Sequence, residues 1–262
     1  MWRRVAWWCG ALVLAAGCSS TPKEEPAGGA EKLYAEAKDD IASGSYERAI
    51  KALERIEGRA AGTLLAQQAQ LDLAYVNWKV GERAQALATL DRFIKLHPSS
   101  PAFDYALYLR GVVNFNDNLG IFGNLSGQDL AERDQQASRD AYQSFKQLVE
   151  QFPQSKYTPD ARLRMDYIVN SLAAHEVHVA RYYFRRGAYV ASANRAQQVL
   201  QEYPQAPVTE EALAIMVASY DRLGLQQLRD DAERVLKKNF PDSRYSADAL
   251  LQPRSKPWWQ LW

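Results

Sequence analysis

From Leu33 onward the apolar positions follow a helical pattern, and the pattern repeats. Ala37 to Gly44, Ala74 to Gly81, Ala180 to Gly187 and Val217 to Gly224 each span seven residues. Seventeen residues after those glycines stand Ala61, Pro98, Pro204 and Pro241. A further unit runs from Gly111 to Pro153 and is 18 residues longer between those marks. Glycine ends a helix because it accepts a left-handed backbone, and proline ends one because it has no amide hydrogen to donate. The punctuation therefore predicts five units, each a helix, a tight turn and a second helix.

A second marker keeps the same register. Eight residues after each proline comes an alanine, Ala106, Ala161, Ala212 and Ala249, and three of these follow an acid, Asp160, Glu211 and Asp248. Acids near a helix N-terminus meet the positive end of its dipole, and a small residue lets the next helix approach closely. Small residues also stand at the expected crossing points Ala74 and Ala86. The 34-residue unit resembles the tetratricopeptide repeat, which implies an all-α superhelix of five stacked helix hairpins.

In such an array the first helix of each hairpin lines the inner surface. The register puts Tyr34, Leu71, Tyr75, Trp78, Tyr105, Tyr108 and Phe115 there. Rings on an inner surface suit an extended or partly structured peptide, since they supply contact area at low entropic cost. The alternative is that several of these rings simply fill the seams between hairpins.

Two stretches break the repeat. Residues 117–134 form an insertion carrying Ile121, Phe122 and Leu125 among glycines. Between Pro153 and Ala180, Thr158 to Arg186 has no glycine and no proline after Pro159, so one unusually long helix is expected there. It divides repeats 1–3, residues 31–156, from repeats 4–5, residues 157–250.

The first 30 residues read differently. Arg3 and Arg4 precede 12 uncharged residues, Val5 to Ala16, and Ala15-Ala16-Gly17 precedes Cys18. This is the pattern of a secretory signal over residues 1–17. As a helix the 12 uncharged residues would reach about 18 Å against roughly 30 Å of bilayer hydrocarbon, too short to span. Leu14-Ala15-Ala16-Gly17-Cys18-Ser19 resembles the bacterial lipobox, which implies a diacylglycerol thioether and an N-acyl chain on Cys18. Several acyl chains hold a protein to a bilayer far more firmly than one. Ser19 resembles the sorting signal for the outer membrane. Residues 18–30, rich in proline, glycine and charge, read as a tether of roughly 20 Å.

Composition narrows the function. With 32 basic and 31 acidic side chains, no general charge draws the chain to nucleic acid. The two cysteines, Cys9 and Cys18, both lie near the start, which leaves no disulfide framework or Cys-rich metal site for the body. His175 and His178 stand one helical turn apart, without a third ligand nearby and outside the H-E-x-x-H pattern. No glycine-rich phosphate loop and no nucleophile elbow occurs, so an enzyme is not expected.

Several ordered motifs point to one family. They are Asp91-Arg92-Phe93-Ile94 with Leu96 and Pro98, Asp104-Tyr105-Ala106 with Tyr108, Arg110 and Gly111, and Phe152-Pro153 with Ser155, Tyr157 and Asp160-Ala161. Glu176, Val179-Ala180, Tyr182-Tyr183, Arg186-Gly187-Ala188-Tyr189-Val190-Ala191 and Asn194-Arg195 follow. Together with the lipobox they resemble the BamD family of lipoproteins in the outer-membrane β-barrel assembly machinery. The resemblance implies a non-catalytic scaffold on the periplasmic face of the outer membrane. It implies that the C-terminal repeats bind a BamA-type barrel subunit, with Asn194 and Arg195 at the contact, and that BamC- and BamE-type lipoproteins join where present. It further implies that the N-terminal repeats receive targeting segments of unfolded outer-membrane proteins.

The sequence also departs from that family. Ala60-Ala61-Gly62-Thr63 replaces a usual Tyr-Pro-Phe-Gly between the first two repeats, and the tail 251–262 carries Trp258, Trp259 and Trp262. The tail suits a cap on the last hairpin, a lipid interface, a partner subunit, or the chain's own groove. A repeat-type lipoprotein adaptor for periplasmic cell-wall hydrolases or proteases is the competing reading.

Overall fold

In a computed structural model, residues 29–115, 135–243 and 245 are described. Cys18, the insertion 117–134 and the Trp-rich tail lie outside the described residues. Ten helices and no strand occur among those that are described: α1 (Gly29–Ala42), α2 (Tyr46–Arg59), α3 (Leu64–Lys79), α4 (Arg83–Leu96), α5 (Phe103–Asn114), α6 (Gln135–Gln151), α7 (Thr158–Arg185), α8 (Tyr189–Glu202), α9 (Thr209–Arg222) and α10 (Gln226–Asn239). Each packs on the next in chain order, and first helices of adjacent hairpins also touch, as α1 on α3, α3 on α5 and α7 on α9. The expected all-α stack of five hairpins is what the helix pairing gives.

The punctuation works as backbone chemistry. Gly44, Gly81, Gly187 and Gly224 adopt φ between 71° and 89°, a region costly for residues with a Cβ. The residue after each glycine donates its amide to a carbonyl five residues back: Ser45 to Asp40, Glu82 to Asn77, Ala188 to Tyr183, Leu225 to Tyr220. These bonds cover carbonyls that the ending helix leaves open. At the far end of the hairpins, His97, Tyr203 and Phe240 each precede a proline, with φ of −127°, −132° and −135°. A following proline ring disfavours helical dihedrals, so the second helix stops there.

Gly111 plays another part. It sits inside α5 in the register of Ala37 and Ala74, and a Cβ at this position would land on the ring of fully buried Phe145. Absence of a side chain is what lets α6 close on α5.

The cores run in series along the stack. Leu53, Ile56, Leu73 and Val76 tie α1–α3, and Leu71, Leu90, Phe93 and Leu109 tie α3–α5. Leu107, Phe145, Leu148, Ala161, Ile168 and Leu172 tie α5, α6 and the first half of α7, so the third core extends past residue 156. Val177, Phe184, Val199 and Ile215 then join the second half of α7 to α8 and α9. The long α7, 28 residues, thus serves two cores with its two halves. α1 begins at Gly29, inside the segment read as tether, with Glu31 in its first turn.

Candidate functional site

The first helices carry a band of tyrosines threaded by carboxylates. On α3 the run Leu71-Asp72-Leu73-Ala74-Tyr75 places Asp72 among apolar neighbours, 6% exposed. The Tyr34 hydroxyl on α1 donates to Asp72 Oδ2 at 2.6 Å, and Lys38 Nζ lies 3.3 Å from the same carboxylate. A buried carboxylate needs such donors, because removal from water without them costs several kcal/mol (~3 or more). Burial, then the hydrogen bond to Asp72, pushes the Tyr34 phenol well above its ordinary range. Burial does the same to Tyr105, helped by the nearby Asp72 charge.

Tyr75 and Trp78 follow, half-buried with ring centroids 5.9 Å apart and Lys79 Nζ over both. Tyr105 meets Tyr157 at 5.4 Å, and Tyr157 stacks on Tyr108 at 4.7 Å. Tyr108 donates to Asp160 Oδ2 at 2.8 Å, and Arg164 Nε donates to the same oxygen at 2.6 Å. Burial works against a charged Asp160, yet the bonds from Arg164 and Tyr108 outweigh it and hold the carboxyl below the usual range. Burial and the bond to Asp160 raise the Tyr108 phenol.

Two expected lining residues lie elsewhere. Leu71 is fully buried in the α3–α5 core. Phe115 is buried where α5, α6 and α7 meet, against Phe145 and Tyr167, with the Arg164 guanidinium 4.9 Å from its centroid. Both fill seams and have almost no surface to offer a ligand. Tyr34, Tyr75, Trp78, Tyr105 and Tyr108 remain partly open.

The C-terminal hairpins are tied differently. Arg195 on α8, half-exposed, donates from one guanidinium nitrogen to Glu176 Oε2 on α7 at 3.0 Å, with the Glu176 side chain 5% exposed. Arg181 on α7 pairs with Glu211 on α9, their side chains 11% and 3% exposed. Ser192 Oγ donates to the Ala180 carbonyl at 2.8 Å and Ser219 Oγ to Ser192 Oγ at 3.2 Å, across the same three helices. Asn194 is exposed beside Arg195. His175 is half-buried and His178 exposed, flanking Glu176. Among the described residues no group of three or more His, Cys, Asp or Glu is placed to hold a metal ion, and no helix is long and apolar enough to cross a membrane.

Sequence reasoning did not place Asp72 or Tyr157 in the band and did not pair Arg181 with Glu211. The signal for Asp72 was present, a lone acid inside a buried apolar run. The acids before Ala161 and Ala212 were read as dipole partners only; both also reach across helices.

Comparison with known proteins gives the kinship. The family described as outer membrane lipoprotein (YfiO) matches residues 26–235. The outer membrane protein assembly factor BamD of Neisseria meningitidis serogroup A is 48% identical over 232 residues, covering 88% of this chain and 86% of that protein. BamD of Haemophilus influenzae is 35% identical over 247 residues, 94% and 91% of the two chains. Among solved structures, that of MamA protein aligns over 83% of this chain and 96% of its own at 13% identity, with a TM-score of 0.35, too loose a fit to bear on the reading. Matching over most of both chains, this chain belongs to the outer-membrane lipoprotein family of the BamD assembly factors.

Proposed function

We propose that this protein is a non-catalytic scaffold in outer-membrane protein assembly, held at the periplasmic face of the outer membrane by acyl chains on Cys18. Hairpins α1–α2, α3–α4 and α5–α6 receive extended segments of unfolded outer-membrane proteins along the band of Tyr34, Tyr75, Trp78, Tyr105 and Tyr108. The C-terminal hairpins dock a BamA-type barrel subunit at Asn194 and Arg195, and BamC- and BamE-type lipoproteins join where the organism has them. The observation that carries this reading is the band itself, half-open rings on three successive first helices, with Asp72 and Asp160 fixing the hydroxyls of Tyr34 and Tyr108. Fixed rings bind an extended chain with little further loss of side-chain freedom. Arg195 spends one side of its guanidinium on Glu176 and is open enough to meet a second carboxylate with the other.

Two measurements test the reading. Tyr75→Ala with Tyr105→Ala should lower affinity for a peptide copied from the C-terminus of a barrel protein by about tenfold or more. Arg195→Glu should abolish co-purification of the barrel subunit from detergent-solubilised membranes while leaving that peptide affinity unchanged. Recovery of cell-wall hydrolases or proteases in place of the barrel subunit would replace the proposal with the adaptor reading.

A further inference from the structure

We infer that the open ends of the first two hairpins, at Leu64 and Leu96, rest on the surface of a phospholipid bilayer, so that the tyrosine band is held close to the lipid headgroups. The inference rests on the acyl anchor proposed above and adds to it a contact made by the folded body.

Topology gathers this edge. α1 and α2 turn at Gly44, and α3 and α4 turn at Gly81, so the start of each first helix lies beside the end of the second helix it pairs with. Gly29, Arg59, Leu64 and Leu96 are thereby all at the end of the hairpins opposite the glycine turns. Side-chain bonds tie that end together. Ser100 Oγ, in the loop after α4, donates to Gln67 Oε1 at the start of α3 at 2.8 Å. Arg92 on α4 and Gln70 on α3 both donate to Glu57 near the end of α2.

The two ends of these hairpins differ in chemistry. Residues 60–64 and 96–102, which lead from α2 into α3 and from α4 to α5, hold no Asp, Glu, Lys or Arg. Leu64 is 67% exposed and Leu96 60% exposed, and Ala61 and Pro98 are exposed beside them in sequence. Cations border these stretches: Lys32 near the start of α1, Arg59 at the end of α2 and Lys95 next to Leu96, all exposed. The glycine turns are flanked instead by charges of both signs, Asp40 and Arg48 at one, Glu82 and Arg83 at the other. One exposed leucine would need no explanation. Two at the same end of one hairpin, on uncharged stretches bordered by Lys and Arg, match a surface that lies in a membrane interface, with leucines at the acyl boundary and cations at anionic headgroups.

Where the chain enters the fold says what covers this edge. Ten residues separate Cys18 from Gly29, and ten residues reach at most about 35 Å however they are arranged. Acyl chains on Cys18 therefore keep the start of α1, and with it the neighbouring open end of α3 and α4, within reach of the headgroups. Contact is then intramolecular, so even a weak surface is occupied at the high effective concentration of a tethered site. Helix rise sets the consequence for the groove. Tyr34 stands five residues after Gly29 and Tyr75 eleven after Leu64, about 8 Å and about 16 Å along their helices. An unfolded segment in the band is thus presented beside the bilayer it is to enter.

Labelled cysteines provide the test. With residues 1–17 removed and Cys18 acylated, the chain has no other thiol, so Leu64→Cys, Leu96→Cys and Glu82→Cys each take a single nitrobenzoxadiazole label. The full acylated protein is reconstituted in vesicles of phosphatidylethanolamine and phosphatidylglycerol containing nitroxide-labelled lipid. Labels at 64 and 96 should lose most of their fluorescence, and the label at 82 little. Leu64→Asp, read by the label at 96, should lower the ratio of contacting to free protein about tenfold, with thermal melting unchanged. Equal quenching at all three positions, or none at 64 and 96 in protein that floats with the vesicles, overturns the inference and leaves the anchor standing. Unchanged quenching at 96 in the Leu64→Asp protein also overturns it. So does shielding of position 64 that appears only when the barrel subunit is added, which would give the edge to that partner. Failure of the wild type to float, with Cys18 unmodified by mass spectrometry, removes the anchor and the contact together.

Discussion

Hairpins at the two ends of this chain are built on one backbone plan and joined by different side-chain chemistry. Between α1 and α3, and between α5 and the start of α7, phenol hydroxyls are given to carboxylates, Tyr34 to Asp72 and Tyr108 to Asp160, with Lys38 adding a cation at Asp72. Between α7, α8 and α9 they are guanidinium–carboxylate pairs and serine hydroxyls. A tyrosine can bond an acid with its tip while its ring stays partly open, so that end both holds its register and keeps an aromatic surface. The buried Arg181–Glu211 pair offers no such surface, and its worth lies in what happens when one partner is removed. In the proposed function, this contrast marks the end that receives the peptide and the end that docks the barrel subunit.

The sharpest way to break the contrast is at Arg181. Replacing it with Met leaves the Glu211 carboxylate buried without its cation, and about 3–5 kcal/mol of stability should be lost. Because a solenoid couples mainly neighbouring hairpins, hydrogen exchange should accelerate in α7–α10 and much less in α1–α4. Uniform loss of protection along the chain would mean that the two ends are one cooperative unit. Peptide affinity should be unaffected.

Gly111→Ala strikes the other end at its tightest point, since the new methyl meets the buried Phe145 ring. A loss of about 1–3 kcal/mol is expected from overpacking, read by urea denaturation. Gly44→Ala has open space around it, so its cost should be only the backbone one, about 1 kcal/mol. If the two cost the same, Gly111 is not a packing glycine.

Tyr34→Phe removes only the hydroxyl that serves Asp72. A stability loss of about 1 kcal/mol is expected, with peptide affinity kept if the ring rather than the hydroxyl makes the contact.

The smallest effect is that of pH. Tyr34, Tyr105 and Tyr108 have phenols raised above the ordinary value of 10.0, so their contribution is fully present below pH 10 and is lost as pH rises through their folded values. Asp160 is lowered below 3.8, so its contribution is present above about pH 4 and is lost as pH falls through its folded value. Ultraviolet phenolate absorbance should show a late-ionising class of tyrosines, and Tyr105→Phe should remove one member of it.

The local punctuation was readable before any coordinates. Four glycines, the prolines after the second helices, the buried alanines and the long glycine-free stretch all act through their own backbone or their immediate neighbours, and each sits where the spacing placed it. Aromatic residues were not readable in the same way. Tyr34, Leu71 and Tyr108 occupy one register position, yet Leu71 is fully buried and Tyr108 half-buried, because burial depends on which side chain the next hairpin presents. Arg195 was placed at a contact by family resemblance; its partner within the chain, Glu176, stands nineteen residues earlier and is met only when α8 folds back on α7.

The sequence by itself determined the helices, their ends, their order and the small residues at which they cross, since those follow from dihedral limits and lost hydrogen-bond donors that act within a few residues. Tertiary structure alone decided which rings became core and which stayed open, and where the acids found their cations. Those outcomes depend on the position of the neighbouring hairpin, and four additional turns in α7 shift that position by more than the width of a helix.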